Sequence, residues 1–175
     1  CFPYQNQGNV FFDILTKNST KFLNCLYDLS EDWIHSPHLL APDRSGNLLF
    51  HRSVSEGFER LWEILKKKLS PDILRKRNED GRSIFLEAIV ESNETIALEI
   101  LNFDSSVILD TDTENKNFLH LSAERNLDSI IESVIECGIG NGKSLEIKNL
   151  LESVDIAGNT PLFLSASADA TESLY

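Results

Sequence analysis

The sequence predicts an all-α protein built from repeated helix pairs. A short turn-like segment recurs four times along the chain, and apolar residues at helical spacing follow each complete segment. The 175 residues are 41% hydrophobic, which is enough for a continuous core. None of the apolar runs reaches the roughly 18 residues that a membrane-spanning helix needs. The pattern therefore favours a stack of helix pairs without membrane insertion.

The recurring segments begin near residues 43, 78, 112 and 155. Each reads acid or Asn, two variable residues, Gly or Asn, and then polar and apolar residues. Successive Gly-or-Asn positions are 35, 34 and 43 residues apart, so the third interval is one period plus an inserted loop, expected near residues 139–150. The Gly-or-Asn positions are Gly46, Gly81, Asn115 and Gly158.

Each segment has the chemistry of a turn that leads into a helix. Gly or Asn at the fourth position accepts the positive φ that a tight turn requires. Ser, Thr or Asn follows and can cap the next helix, and Pro161 suits a first helical position. Small residues recur farther along, where neighbouring helices would pack closely: Ser53, Ala88, Ser122 and Ser165.

A second helix is predicted in each complete unit. A single helix pair of this size cannot bury its apolar face alone, whereas stacked pairs share a core. The apolar residues at helical spacing are Leu61, Trp62, Ile64 and Leu65, then Ile96, Leu98, Ile100 and Leu101, then Ile130, Ile131, Val134 and Ile135.

These units of one turn and two helices resemble the ankyrin repeat. Thr160-Pro161-Leu162 retains most of the family's Thr-Pro-Leu-His motif, and Leu119-His120 retains its end. Gly57 stands where the family has its interhelix glycine. The second unit departs from the motif, because Leu86 replaces the histidine and one extra residue is expected near Ser92.

The resemblance implies an ankyrin-type helix-pair solenoid of about four to five units over residues 43–175. Residues 1–42 would then form a divergent N-terminal capping helix pair, in residues 9–40, and a linker. The resemblance also implies that His51 and His120 make structural hydrogen bonds between turns.

The same resemblance implies that another protein is bound by the concave surface of turn tips and first helices. We expect a scaffold without enzymatic activity, cofactor or metal, because the sequence assembles no catalytic constellation. The candidate partner contacts, taken unit by unit, are Arg44, Asn47 and Glu56; Glu79, Asp80, Arg82 and Glu91; Glu114, Lys116, Glu124 and Arg125; and Asn159.

Three other features allow a different interpretation. Residues 138–144 are similar to a phosphate-binding loop, but Cys137 stands where its first glycine belongs and a helix is expected before it. We interpret them as part of the inserted loop, with Gly138 ending the preceding helix.

His35 and His38 flank a Ser-Pro turn without companion metal ligands. The basic run at residues 66–77 is either a solvated helix end and loop or a site for an anionic partner.

Charge and cysteine content narrow the partner and the compartment. The net charge is −12, and residues 78–155 hold 17 acidic against 5 basic residues, which disfavours nucleic acid and anionic lipid. We therefore expect a protein partner. Either the acidic residues attract a basic segment of that partner, or they only keep the array soluble. Three widely spaced cysteines do not form a disulfide framework, so we expect a reducing compartment such as the cytoplasm. The alternative is a regulatory or targeting segment of a larger enzyme, ion channel or bacterial effector.

Overall fold

The structure, a computed structural model, describes residues 40–172. Every regular element in this range is a helix, which confirms the all-α prediction there. Between these residues each helix is too short or too polar to cross a bilayer. The predicted N-terminal helix pair lies almost entirely outside the described residues, as do His35 and His38.

The chain divides into two compact units, Cys1–Ser70 and Pro71–Tyr175, and each is described by itself. In the first unit, helix α1 (Leu49–Ser55) packs against helix α2 (Glu59–Leu65), and a 3-10 turn at Lys66–Lys68 follows α2. Both helices bury their apolar residues: Leu49, Phe50, Val54, Leu61, Trp62 and Leu65.

The second unit begins with the short helix α3 (Pro71–Leu74). Two helix pairs follow, and a 3-10 helix at Ser105–Leu109 connects them. The remaining helices are α4 (Ile84–Val90) with α5 (Glu94–Phe103), α6 (Phe118–Ala123) with α7 (Asp128–Gly140), then α8 (Ser144–Glu152) and α9 (Pro161–Glu172).

Successive helix pairs of the second unit share one core. Helix α6 packs against α4 on one side and α9 on the other, while α5 packs against α7. The rings of Phe85 and Phe118 meet between α4 and α6 with their centroids 6.3 Å apart. Ile100 and Val134 are fully buried between α5 and α7 and their neighbours, whereas Ile131 is only half-buried. Each pair is therefore stabilised by the next one along the chain.

The outer face of α9 differs from the equivalent faces of α4 and α6. Leu162 and Phe163 are 78% and 59% exposed, whereas Leu119 and His120, at the same positions of α6, are 2% and 0% exposed. The difference follows from packing, because α6 packs between α4 and α9, whereas α9 packs mainly on α6.

The same turn precedes α1, α4, α6 and α9. In each turn the amide of the first residue donates to the carbonyl of the fifth, and the amide of the fourth donates to the carbonyl of the first, at 2.9–3.2 Å. A side-chain oxygen of the first residue, an Asp or Asn, accepts the amide of the fifth at 2.8–2.9 Å. The fourth residue has a positive φ in all four turns, which confirms the prediction for Gly46, Gly81, Asn115 and Gly158.

Backbone hydrogen bonds join consecutive turns of the second unit. The amide of Thr113 donates to the carbonyl of Asp80, and the amide of Ile156 donates to the carbonyl of Glu114, both at 2.9 Å. In each case the second residue of one turn contacts the third residue of the turn before it. Side chains add to these bonds, because the Thr113 hydroxyl donates to the same Asp80 carbonyl at 3.0 Å and the Asn115 side-chain amide donates to the carbonyl of Val154 at 2.8 Å. Main-chain bonds are therefore a common part of the contact between consecutive turns.

The predicted inserted loop near residues 139–150 is wrong, because α8 fills most of this segment. Helix α8 packs against α7, α9 and the 3-10 helix, and it buries Ile147 and Leu150. Gly138 does not end α7 but lies buried inside it. A Cβ atom on Gly138 would come within 2.7 Å of Ile108 and 2.9 Å of Ile147. A larger residue at this position would require the ends of the Ile108 and Ile147 side chains to move.

The extra residue expected near Ser92 is also wrong. Gly57, Ser92 and Asn126 have φ values of 67°, 57° and 53°. Each lies six residues after the third residue of the helix before it, which is α1, α4 or α6. All three helix pairs therefore have the same interhelix turn. The turn between α4 and α5 places Ser92 in the left-handed conformation, which glycine and asparagine adopt more easily.

The contact between turns predicts that two equivalent glycines respond differently to substitution. Gly81 and Gly158 both have a positive φ, but a Cβ on Gly81 would lie 2.7 Å from the amide nitrogen of Thr113, whereas a Cβ on Gly158 would meet nothing within 4 Å. We expect Gly158→Ala to lower the free energy of unfolding by about 1–2 kcal/mol through backbone strain alone. Gly81→Ala should lower it by about 2–4 kcal/mol, because a steric clash is added. Urea denaturation measures both, and equal losses would contradict the close approach of the two turns.

Candidate functional site

Two adjoining cavities follow the turns and first helices of the second unit. The larger, of about 330 Å³, is lined by the turns at 112–116 and 155–159, by Glu124 after α6 and by Leu164 of α9. The smaller, of about 110 Å³, is lined by the turns at 80–82 and 112–116 and by residues near the end of α6. Glu114, Lys116 and Glu124 line both cavities, so the two form one continuous groove, which we call the turn groove.

Lys116 lies at the centre of the turn groove between two carboxylates. Its Nζ atom is 2.8 Å from Glu114 Oε2 and 2.6 Å from Glu124 Oε1. Burial favours the neutral amine, but the hydrogen bonds and charges of Glu114 and Glu124 outweigh it, so the pKa of Lys116 is raised above its usual value. Lys116 therefore stays protonated at physiological pH and is unsuited to act as a base or nucleophile.

Arg82 takes the position of Lys116 one turn earlier, and it is also held between carboxylates. Its Nη1 atom is 3.5 Å from Asp80 Oδ2 and 3.7 Å from Glu87 Oε2. The Glu87 side chain is only 10% exposed, and burial raises its pKa although the charge of Arg82 opposes the shift. The Arg82 side chain is only partly exposed, and its charge compensates the buried carboxylate of Glu87.

The structure brings most of the predicted contacts of the second unit to the groove. Glu79 and Glu91 are exposed but line neither cavity. Arg44, Asn47 and Glu56 belong to the first unit, where the Asn47 amide bonds to Asp43 within its own turn. The predicted residues that do line the groove are Asp80, Arg82, Glu114, Lys116, Glu124, Arg125 and Asn159.

Sequence reasoning missed Leu164, which lines the larger cavity. It stands four residues after the capping residue Thr160, whereas Glu87 and Leu121 stand at the same position of α4 and α6. The repeat register would have identified this position, because each first helix has a side chain there that faces its own turn.

His120 links two turns and is buried. Its Nδ1 atom accepts the backbone amide of Asn117 at 3.3 Å, and its Nε2 atom lies 3.1 Å from the carbonyl oxygen of Asn159 in the next turn. An Nδ1 atom that accepts this amide belongs to the neutral ring, with the proton on Nε2. The same Nδ1 atom also lies 2.9 Å from Asn117 Oδ1, to which it could donate only when protonated. Burial is the main cause that lowers the pKa of His120 below its usual value. In the first unit, His51 Nδ1 likewise accepts the amide of Leu48, at 3.1 Å.

The other sequence features do not converge on a site. Residues 138–144 connect α7 to α8, so a helix precedes them where a phosphate-binding loop would follow a strand. In the basic run, Lys66 pairs with Glu63 and Arg77 pairs with Asp110, each within its own unit. Among residues 40–172, no three His, Cys, Asp or Glu side chains are arranged to hold a metal ion.

Comparison with known proteins finds no protein-family profile that matches the chain and no curated protein with significant similarity to it. Functional inference therefore starts from the turns and the groove.

The position of His120 predicts that acid destabilises the fold. The pKa of His120 is lower in the folded chain than in the unfolded chain, where it is about 6.5. The contribution of neutral His120 to the free energy of unfolding is therefore complete above about pH 6.5 and is lost as the pH falls through that value. We expect urea midpoints of the native protein to fall between about pH 7.5 and 5.5, at a slope of up to about 1.4 kcal/mol per pH unit from this group. His120→Gln should remove that part of the slope. An unchanged slope in the variant would show that His120 is not held neutral.

Proposed function

We propose that the chain is an ankyrin-type repeat protein that binds a protein partner along the turn groove and has no catalytic activity of its own. The observation that supports this proposal is the turn. It has the same hydrogen bonds before α1, α4, α6 and α9, and within Pro71–Tyr175 main-chain bonds join consecutive turns. Repetition of one turn at fixed spacing yields an extended surface on which side chains can vary without cost to the fold.

The chemistry of the groove supports binding and not catalysis. Its two central cations, Arg82 and Lys116, are neutralised by carboxylates, and the raised pKa of Lys116 keeps it protonated. A catalytic site would need a group whose protonation changes near neutral pH, held against a nucleophile or an oxyanion site. Within residues 40–172, the histidine near the groove is His120, which is buried and bonded to Asn117 and to the carbonyl of Asn159 in the next turn.

Charge supports a partner that carries a basic segment. Carboxylates outnumber cations along the groove, and the surrounding residues 78–155 have 17 acidic against 5 basic residues. Complementary charge would raise the association rate and weaken as salt screens it. We also propose a reducing compartment such as the cytoplasm, since the three cysteines are widely spaced along the chain and Cys137 is a free thiol.

A photo-crosslinking experiment tests the proposal. A photoreactive benzoylphenylalanine replaces Arg125, an exposed residue of the groove, or Glu132, an exposed residue of α7 outside it. In extracts of the source cells we expect discrete crosslinked proteins from position 125 and not from position 132. Replacement of Glu114 and Glu124 together by Gln should lower the crosslinking yield about tenfold, because charge-assisted contacts are lost.

The matched control replaces Glu132 and Glu136, both exposed on α7, by Gln. It removes the same charge and should leave the yield unchanged. Equal crosslinking from positions 125 and 132, or none from position 125, would contradict binding in the groove. Equal loss in the two double variants would show that only net charge matters.

A further inference from the structure

The fourth turn differs in chemistry from the three before it. The second and third residues of the earlier turns are Arg44 and Ser45, Glu79 and Asp80, and Thr113 and Glu114, all of them polar. In the fourth turn these positions hold Ile156 and Ala157, and the Ile156 side chain is 74% exposed. An isoleucine held at a rigid turn tip has no role in the turn, whose hydrogen bonds are made by Asp155 and the backbone.

The larger cavity of the turn groove lies beside this tip. Ile156, Ala157 and Leu164 supply its apolar wall, and Glu114 and Glu124 supply carboxylates on the side of the third turn. Its volume of about 330 Å³ is at the lower end of the range for pockets that enclose a ligand group, roughly 300–1,000 Å³. A bulky side chain with part of its backbone fits a space of this size.

We propose that this cavity is a subsite for a partner segment in which a bulky apolar residue stands next to Lys or Arg. The apolar side chain of the partner would pack on Ile156 and Leu164. The adjacent Lys or Arg of the partner would form ion pairs with Glu114 and Glu124, beside Lys116. The inference rests on the proposed function, because it specifies which partner the turn groove accepts.

The charges favour this occupant over an anionic one. Lys116 is the one cation among the residues that line the larger cavity, and both Glu114 and Glu124 already bind it. An approaching phosphate or carboxylate would face more negative than positive charge. A purely basic segment would leave the exposed Ile156 without an apolar contact, so the cavity matches a segment that combines both properties.

A peptide selection tests the inference. The full 175-residue chain is presented to a randomised dodecapeptide library displayed on phage, in buffer of physiological ionic strength. We expect enrichment of peptides with a bulky apolar residue beside Lys or Arg. Synthetic versions should bind Ile156→Ser at least about tenfold more weakly, because the contact with a branched side chain is lost. They should bind Leu145→Ser as tightly as the native chain, since Leu145 is 69% exposed on α8 and lines neither cavity.

The outcomes separate this inference from the proposed function. Enriched peptides of another chemistry, or basic and apolar peptides that bind Ile156→Ser unchanged, would overturn the subsite while groove crosslinking from position 125 could still hold. A selection without enrichment would also overturn it, and the crosslinking experiment decides the proposed function independently. Loss of binding in Ile156→Ser with an unchanged circular dichroism spectrum and urea midpoint supports the subsite directly.

Discussion

The organisation of the second unit depends on the backbone of one turn. A turn at the surface must satisfy its own amides and carbonyls, and here an Asp or Asn at its first position accepts the amide of the fifth residue. The carbonyl of the third residue accepts an amide from the next turn, as the bonds of Thr113 to Asp80 and of Ile156 to Glu114 show. The turns are therefore coupled through groups that every sequence possesses.

This coupling separates the residues that hold the fold from those that can recognise a partner. The side chains of Asp112, Asp155 and Asn159 are used within their turns, whereas Glu114 and Ile156 take part in the coupling only through the backbone. Their side chains can therefore differ in chemistry. Glu114 is charged, whereas Ile156 is apolar. The turn groove thus combines residues that hold the turns, such as Asp112 and Asp155, with two positions, Glu114 and Ile156, whose side chains the coupling does not use.

The local features of this structure could be predicted from sequence, and the long-range ones could not. Gly46, Gly81, Asn115 and Gly158 were identifiable because a positive φ is a property of a single residue and its neighbours. Helix α8 was not, because its glycine-rich start resembles a loop and its stability comes from Ile147 and Leu150 packing on other helices. The buried position of Gly138 and the pairing of Lys116 with Glu124 likewise depend on helices brought together by the tertiary fold. Leu164 lay within reach of the repeat register, because Glu87 and Leu121 occupy the same position of α4 and α6.

Amide hydrogen exchange of the full chain tests most directly whether the turns are joined through the backbone. The amides of Thr113 and Ile156 belong to exposed turn tips, yet each donates to the preceding turn at 2.9 Å. If the turns are coupled, these two amides exchange as slowly as those of Asn115 and Gly158, which bond within their own turns. Exchange of Thr113 and Ile156 at the rate of an unstructured peptide, with Asn115 and Gly158 still protected, would contradict the coupling and with it the fixed geometry of the turn groove.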